Sequence, residues 1–491
     1  MRDLVLGIDL GTSGVGVVAQ ALDGSVAARA DHPLQLHTPA PGWTEQDPDE
    51  WRQAAEGALR EVAAEVGGER VAALALAGQM HGMVARDSAG RAVHRALLWN
   101  DQRTAREVEE IHARVGRERL VARTGNPAVT GFQLPKVLWL RRHHPEAFAR
   151  VTRVMLPKDD LGLHLTGEAV AEPCDASGTS AYHLAERAWD TEVLAALDLD
   201  PGLWPRLVSS HAVTGGLRAE VAERVGLPAD TPVVAGAGDN AAAATGLALG
   251  RAHPEVGSVS LGTSGVLQVP LAEPTPDPEG RVHLFAHADG AFLLLGVTLA
   301  AAGSLRWYRD TFAPGSSYAE LVAEAARSPV GSNGVTFKPY LAGERTPHLR
   351  ADLRGSFHGL SLATSHADVV RSVLEGVACS LRDALEVMTP LSRPERLLAT
   401  GGGTVSDVWL GILADTLGLP LGRPVDDSGS PLEVGAAEGA AWLGWRALGH
   451  ESERSPRADT WIEPSSERGA ATESMYARYG SLGTGAPEDR Q

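Results

Sequence analysis

The residues best suited to chemistry in this chain stand at short glycine-rich turns, and one turn is written twice. Asp9-Leu10-Gly11-Thr12-Ser13-Gly14 lies between the apolar runs 4–8 and 15–18; Ser260-Leu261-Gly262-Thr263-Ser264-Gly265 lies between 256–259 and 266–269. Each reads as strand, turn, strand. Glycine lets the backbone approach an anion and turn N–H groups towards it, and Thr12, Ser13 and Thr263 add hydroxyl donors. That is phosphate-binding chemistry. The copies differ where Asp9 faces Ser260: one turn carries a carboxylate able to handle a metal ion, and the other can only donate hydrogen bonds. Two half-sites closing on one nucleotide–metal complex explain the asymmetry. Two ordinary β-hairpins are the alternative, and the matched pair argues against it.

More chemistry follows other apolar strands. Gly236-Ala237-Gly238-Asp239-Asn240 comes after the strand 232–234 and before a small-residue helix, 241–249. A carboxylate at that helix N-terminus is stabilised in its ionised form, and it can accept a proton from a substrate hydroxyl. A plain helix cap is the bland alternative. Gly78-Gln79-Met80-His81-Gly82 offers an amide, a thioether and an imidazole, groups that orient a polyol better than they bind a metal; a structural histidine remains open. In Leu98-Trp99-Asn100-Asp101, Trp99 could form an apolar wall for a sugar and Asp101 could accept its hydroxyls, unless this is only a strand-end turn. Gly401-Gly402-Gly403-Thr404 could pass backbone under an adenine or ribose, although turns often use such a run. Gly343–His348 could line an interdomain cleft or cap a surface loop.

Strands and helices must position these groups. The first half begins with a meander of strands 4–8, 15–21 and 26–30, turned at Asp23-Gly24. Helices are expected over 49–66, 103–115 and 134–143, with strands at 71–76 and 96–99. The second half repeats this grammar: a hairpin over 258–270, helices at 300–309, 368–385 and 406–417, a strand at 397–399, and a small-residue helix over 432–445 suited to close packing. A Gly- and Pro-rich loop fills 331–347. This is an α/β chain with mixed sheets. Domains are expected at 1–248 and 249–450. A tail, 451–491, holds one short helix near 471–479 and is then disordered.

Composition narrows the partners. A net charge of −18 over 491 residues repels nucleic-acid phosphates. No apolar run is long enough to span a membrane. Cys174 and Cys379 are the only cysteines, which suits buried thiols in a reducing cytoplasm better than a disulfide framework. Lysine occurs only at 136, 158 and 338, outside the glycine turns, so neither turn is a lysine-based Walker loop.

Taken together, Asp9–Gly14, Gly78–Gly82, Leu98–Asp101, Leu156–Asp159, Gly236–Asn240, Leu261–Gly265, Gly343–His348 and Gly401–Gly403 resemble the FGGY carbohydrate kinases. The stretch from Gly355 to Leu360, continuing through Asp368 to Glu375, matches the C-terminal signature of that family. The resemblance runs from about Leu4 to Trp445. It implies two ribonuclease-H-like domains of the actin/hexokinase/Hsp70 kind around a central cleft, with the sugar held by the first and the nucleotide by the second. It further implies an ATP- and Mg2+-dependent kinase making D-xylulose 5-phosphate from D-xylulose, in the cytoplasm and allowing a homodimer. Asp239 would be the catalytic base. Met80, His81, Trp99, Asp101 and Asn240 would bind the sugar. Thr12, Ser13, Gly262, Thr263, Gly303, Gly402 and Ser406 would bind ATP, and Asp9 would approach the metal through water.

Two positions depart from the pattern. The resemblance calls for Lys or Arg two residues after the first turn, reaching towards the phosphates, where this chain has Gly16. It calls for Pro, Ser or Thr where this chain has Gln133, expected on a loop before a helix and without consequence. Gly16 removes a charge near the transferred group. A sugar- and nucleotide-binding sensor that has lost catalysis through Gly16 is therefore one rival expectation, and a kinase for another ketose such as ribulose is the other.

Overall fold

A computed structural model describes residues 2–426, 429–432, 435–450 and 454–484. Its frame is two mixed β-sheets, and the second repeats the first. The first contains β1 (Leu4–Leu10), β2 (Gly14–Gln20), β3 (Val26–Pro33), β4 (Val71–Gly78), β5 (Val213–Gly216) and β6 (Pro232–Gly238), in the order β5-β6-β4-β1-β2-β3. The second contains β7 (Val256–Leu261), β8 (Gly265–Leu271), β9 (His283–Ala286), β10 (Phe292–Thr298), β11 (Arg396–Thr400), β12 (Leu421–Pro424) and β13 (Ala458–Ile462), in the order β9-β10-β8-β7-β11-β12-β13. In each sheet an antiparallel three-strand meander joins two parallel strands: β1 is parallel to β4 and β4 to β6, as β7 is to β11 and β11 to β12. The twice-written turn is thus the outward mark of a duplicated topology.

The central strands are apolar runs because they are covered on both faces; β4 is buried at every position. Helix α1 (Pro48–Val66) covers one face of the first sheet. Asp47 caps it by accepting from the Asp49 N–H, Pro48 starts it, and Trp51, Ala55, Ala58, Leu59 and Val62 form its buried stripe. The longest helix, α4 (His366–Met388), does the same for the second sheet, opening with a capping box between Ser365 and Asp368.

Between the sheets lie α2 (Asp239–Gly246), which follows β6, and α6 (Ala436–Ala447), preceded in the chain by α3 (Ala302–Phe312) and α5 (Asp407–Leu417). Their small residues permit backbone contact. A Cβ on Gly439 would lie 1.7 Å from the Ala242 carbonyl oxygen, and one on Gly7 would lie 1.9 Å from that of Ala437. Ala77, Val234, Ala241, Val256, Leu398 and Ala436 share one core that joins the two halves. The small-residue helix expected over 432–445 therefore packs against the first sheet and its helix.

The tail is more ordered than its composition suggests. β13 adds an edge strand to the second sheet, and α7 (Gly469–Ser481) buries Met475 and Tyr479 against Cys379. Alternation over five residues at a sheet edge leaves too little apolar signal to stand out. The expected disorder of the last residues, 485–491, lies outside the described residues.

Candidate active site

Parallel pairing brings three segments to one edge of the first sheet. Asp9 pairs with Ala77, Leu10 with Gly78, and Gly238 with Gly78. The first turn, the Gln79–His81 segment and Asp239 therefore leave the sheet together at the carboxyl ends of β1, β4 and β6, where open α/β sheets form ligand crevices. β6 reaches this place through a register shift between Val234 and Ala237. Gly236 makes the shift possible: its φ is 77°, and a Cβ there would lie 1.5 Å from the Leu76 carbonyl oxygen.

Asp239 is the first residue of α2, and Gly238 holds the cap position. The capping reading of Asp239 is thereby set aside. Its Oδ1 accepts the Asn240 backbone N–H at 2.7 Å and the Asn240 Nδ2 at 2.9 Å; no described residue bonds its Oδ2. Burial pushes its pKa up to about 6, opposed by the two Asn240 bonds. A carboxylate whose pKa is raised yet which is still largely ionised at neutrality, with one oxygen uncommitted, is suited to take a hydroxyl proton.

Asp9 stands at the end of β1. Burial, then the charges of Asp239, Glu438 and Asp31, push its pKa up to about 7. Its Oδ1 is buried without a hydrogen-bond partner. A cation beside it would relieve both conditions. Among the described residues no group of three or more His, Cys, Asp or Glu side chains could hold a metal ion alone. The fit is to a hard divalent cation that keeps water and phosphate oxygens as its main ligands.

The two turns are closed by Gly11 N–H to the Gly14 carbonyl at 3.0 Å and Gly262 N–H to the Ser264 carbonyl at 3.1 Å. The first is braced from beneath. Gln46 Nε2 donates to the Thr12 carbonyl at 2.8 Å, Gln79 Nε2 to Gln46 Oε1 at 3.0 Å, and Thr12 Oγ1 to Gln79 Oε1 at 3.2 Å. Trp99 joins this network, its indole N–H reaching Thr12 Oγ1 at 2.9 Å; the expected sugar wall is also a brace of the phosphate turn. Ser13 and Thr263 are exposed at the turn tips.

A cavity of about 630 Å3 opens beside the second turn and is lined by Gly262, Thr263, Gly303, Gly402 and Ser406 together with Leu305, Val322 and Trp409. Five residues expected to bind ATP, far apart in sequence, thus share one pocket with an apolar wall for a base. Ser406 also caps α5, accepting from the Trp409 N–H. Arg306, on α3, adds the charge: its Nη2 donates to Thr263 Oγ1 at 2.7 Å. Sequence reading missed Arg306, because an arginine in an amphipathic helix resembles any solvated surface residue. A larger basin of about 980 Å3, lined by Arg52, Arg86, Arg153 and His164 among others, contains none of the expected residues.

On the sugar side, Met80 is buried and lies 3.9 Å from Asn240 Nδ2 through its sulfur. His81 adopts a φ of 69°, a costly conformation for a side-chain-bearing residue. Lys136 Nζ holds its carbonyl at 2.8 Å. Its Nδ1 lies 2.7 Å from the Gly178 carbonyl oxygen. That oxygen can only accept, so the ring proton is on Nδ1 and Nε2 is an acceptor. Burial holds its pKa well below the usual histidine value, which keeps the ring neutral. Phe132 stacks on it at 4.4 Å, and Phe285 from β9 lies at 5.7 Å; neither aromatic was marked in the sequence, where each passes for core. His81→Ala should weaken sugar binding about tenfold or more while leaving ATP affinity nearly unchanged, measured by calorimetry with each ligand separately. Equal losses, or a large drop in thermal stability, would make His81 structural.

Two expectations are corrected. Asp101 is not brought to the cleft. It is fully buried, its Oδ2 accepting from Thr44 N–H at 2.7 Å and Arg103 Nη2 at 2.7 Å, its Oδ1 from Arg103 N–H at 3.0 Å. Arg103 in turn lies over Trp43 at 3.9 Å and pairs with Glu45 at 2.7 Å. Asp101 shapes the loop that carries Trp99 and has no oxygen to spare for a sugar. Gln133 is likewise no idle loop residue: it starts the helix Gln133–His143, accepts from Trp204 Nε1 at 2.9 Å and reaches the Gly82 carbonyl at 3.4 Å.

A duplicated fold with two buried carboxylates at the first glycine turn, and a copy of that turn in the second sheet, is the arrangement of a phosphotransferase of the sugar-kinase kind. The chain belongs to the FGGY family of carbohydrate kinases: residues 4–246 match the N-terminal domain of that family and 257–447 its C-terminal domain. It is 42% identical over 405 residues to the xylulose kinase of Lactococcus lactis, covering 81% of this chain and 80% of that one. With the xylulose kinase of Escherichia coli it shares 39% over 442 residues, 90% of this chain and 89% of the other. The crystal structure of xylulose kinase from Rhodospirillum rubrum superposes with a TM-score of 0.88 at 30% identity over 98% of both chains. The enzyme is a phosphotransferase that acts on a small-molecule sugar with ATP.

Proposed function

We propose that the chain transfers the γ-phosphoryl group of ATP to the terminal hydroxyl of D-xylulose, giving D-xylulose 5-phosphate and ADP. The observation that carries this reading is the strand-edge convergence of Asp239, Asp9, Met80 and His81 beside the first turn, with five nucleotide-side residues gathered in one pocket at the second. The xylulose kinases named above support the choice of sugar. Phosphoryl transfer asks the protein for alignment and charge neutralisation more than for covalent chemistry. Asp239 Oδ2 takes the proton from the attacking hydroxyl. Asn240 fixes the carboxylate, and His81 Nε2 accepts from a sugar hydroxyl. Mg2+ near Asp9, when bound, neutralises phosphate oxygens. The Ser13 and Thr263 hydroxyls and the backbone N–H groups of Thr12, Ser13 and Thr263 supply donors to the phosphate chain, with Gly262 shaping the second turn; Gly303, Gly402 and Ser406 border the adenosine.

The charge absent at Gly16 is supplied by two arginines in this reading. Gly16 opens into a cavity of about 410 Å3 that also contains Asp9, Arg29, Asp31 and Glu438, and Arg29 pairs there with Glu438. Arg306 stands at the other turn. A Cβ at position 16 would lie 2.9 Å from Asp31 Oδ1, so a lysine placed there would pair with Asp31 before it reached a phosphate. Gly16→Lys should therefore change turnover by less than about threefold, whereas Arg306→Ala should raise KM for ATP about tenfold, the scale of one charged hydrogen bond. Steady-state kinetics on both variants checks this. A large gain in Gly16→Lys would mean that the charge is missing and the natural enzyme is slow.

Among the described residues no helix is long and apolar enough to cross a membrane. The strongly negative charge disfavours a nucleic-acid partner; a cytoplasmic location and a homodimer are part of the proposal. A coupled ADP-release assay across a panel of ketoses, with and without Mg2+, tests the function: D-xylulose should give the highest kcat/KM.

A further inference from the structure

Beneath the Gln79–His81 segment lies a group of charges that the transfer step does not use. Lys158 stands among Asp159, Glu172 and Asp175, and all four side chains are buried. Lys158 packs under the end of β4: a Cβ on Gly78 would lie 3.1 Å from its Cβ. Its Nζ is 2.6 Å from Asp159 Oδ1, 3.7 Å from Glu172 Oε1 and 3.9 Å from Asp175 Oδ2. Burial opposes the charge on Lys158, yet the three carboxylates hold its pKa above the usual lysine value. Burial also pushes the Asp175 pKa well above the carboxylate range, so Asp175 carries a proton and the charges come closer to balance. Taking such groups out of water is costly, and a buried ion cluster is a poor source of stability. Its place in the fold gives it another use.

Glu172 is the hub, and its bonds run to both sides of the site. On one side Oε2 accepts the Cys174 N–H at 2.8 Å and Oε1 accepts the Asp175 N–H at 2.9 Å. These bonds cap the short helix Pro173–Ala176, which leads into Gly178, whose carbonyl accepts the Nδ1 proton of His81. On the other side Oε2 accepts the Ser210 hydroxyl at 2.8 Å, and the Ser210 carbonyl accepts the Gly236 N–H at 2.8 Å. Lys158 Nζ adds a contact at 3.4 Å to the carbonyl of Ala235. Ala235 and Gly236 form the irregular stretch of β6 that delivers Asp239. Hydrogen bonds and short pieces of backbone thus join the base to the histidine, through Gly236, Ser210, Glu172 and Gly178.

We infer, resting on the kinase reading above, that Glu172, Lys158 and Ser210 are positioning residues that hold Asp239 and His81 at a fixed separation, so that a sugar gripped by the imidazole presents its reacting hydroxyl to the carboxylate. Asp239 and His81 follow different strands, β6 and β4. Strand pairing sets where each leaves the sheet but not how far apart their side chains stand. No described residue bonds Asp239 Oδ2, so its aim depends on the backbone before it, and that backbone is held by Ser210 and Lys158. Bonds to a charged acceptor are the stronger and shorter kind, which suits a carboxylate at the hub. A displacement of about 1 Å at the reacting atoms can cost about 100-fold in rate.

Glu172→Gln and Ser210→Ala test this, read by kcat, both KM values, thermal melting and the ring signals of His81. Nitrogen NMR of histidine-labelled enzyme identifies the His81 Nδ1–H signal as the one absent from His81→Ala. Glu172→Gln keeps the size of the side chain but gives up one acceptor oxygen and the charge opposite Lys158. Its kcat on D-xylulose should fall about 10- to 100-fold, with KM for ATP within about twofold. The His81 signal should shift, although Glu172 reaches that ring only through the turn 173–178. Ser210→Ala removes one hydroxyl, leaves every charge in place and cuts only the Asp239 side. Its kcat should fall about three- to tenfold with the His81 signal unmoved. A kcat within about twofold of the natural enzyme in both variants would overturn the inference. So would an unmoved His81 signal in Glu172→Gln, or a loss of stability with the kcat of the folded fraction unchanged. Should Glu172→Gln fail to fold, kcat of Ser210→Ala decides alone, its loss supporting the linkage and its retention overturning it. The His81 signal needs no turnover, so failure of the natural enzyme to phosphorylate any ketose would sink the proposed function while the linkage is still read.

Discussion

Asp239→Asn should abolish phosphoryl transfer while leaving D-xylulose binding largely intact. The amide preserves shape and can still meet Asn240, but it cannot take a proton. A general base positioned in this way contributes about 10²–10⁴-fold, and kcat should fall by that amount with little change in the calorimetric affinity for sugar. The same residue sets the pH profile. Its pKa is raised to about 6, and the carboxylate is the active form, so at saturating Mg2+, which keeps Asp9 ionised, activity is lost as pH falls through that value and is full above it. The logarithm of kcat/KM for sugar should rise with unit slope below about pH 6 and level off above. Turnover of Asp239→Asn within a few-fold of the natural enzyme, or a flat profile between pH 5 and 7, would remove Asp239 from the base role.

Replacement of Asp9 is expected to have the next largest effect. Asp9→Asn keeps the size of the side chain at the end of β1 and removes a carboxylate whose buried oxygen lacks a partner. Stability should hold or increase, because repulsion from Asp239, Glu438 and Asp31 is relieved. Turnover should fall about 100-fold or more, since a cation stabilising transition-state charge is worth several kcal/mol. The concentration of Mg2+ giving half-maximal rate should rise. The informative signature is opposite movement of Tm and kcat. A variant that lost stability and kept its rate would make Asp9 a structural residue.

Much of this was legible in the sequence because duplication leaves a local mark. Two copies of a six-residue turn, each inside a hairpin, announced two half-sites, and glycine runs after strands located Asp239, Met80–His81 and Gly401–Gly403. Such signals are short-range: turn chemistry and strand ends are read within a few residues. What escaped depends on pairing over long distances. Asp101 looks like any strand-end carboxylate until Arg103 and Thr44 close over it. Arg306 looks like an ordinary surface arginine until the fold places it at Thr263. Phe285 and Phe132 count as core in a pattern of apolar residues, yet they hold the imidazole from two different halves of the chain. Trp99 was marked for the right region, but its bond to Thr12 could not be foreseen from either motif alone.

These groups move a phosphoryl group onto a ketose rather than merely hold sugar and nucleotide. Phosphorus NMR of the enzyme with ATP, Mg2+ and D-xylulose tests this most directly, with parallel samples lacking sugar. The γ-phosphorus signal should convert stoichiometrically into that of D-xylulose 5-phosphate, with ADP formed at the same rate and little ATP hydrolysis without sugar. Sugar and ATP binding with no sugar phosphate formed from any ketose, or release of inorganic phosphate alone, would contradict transfer to the ketose.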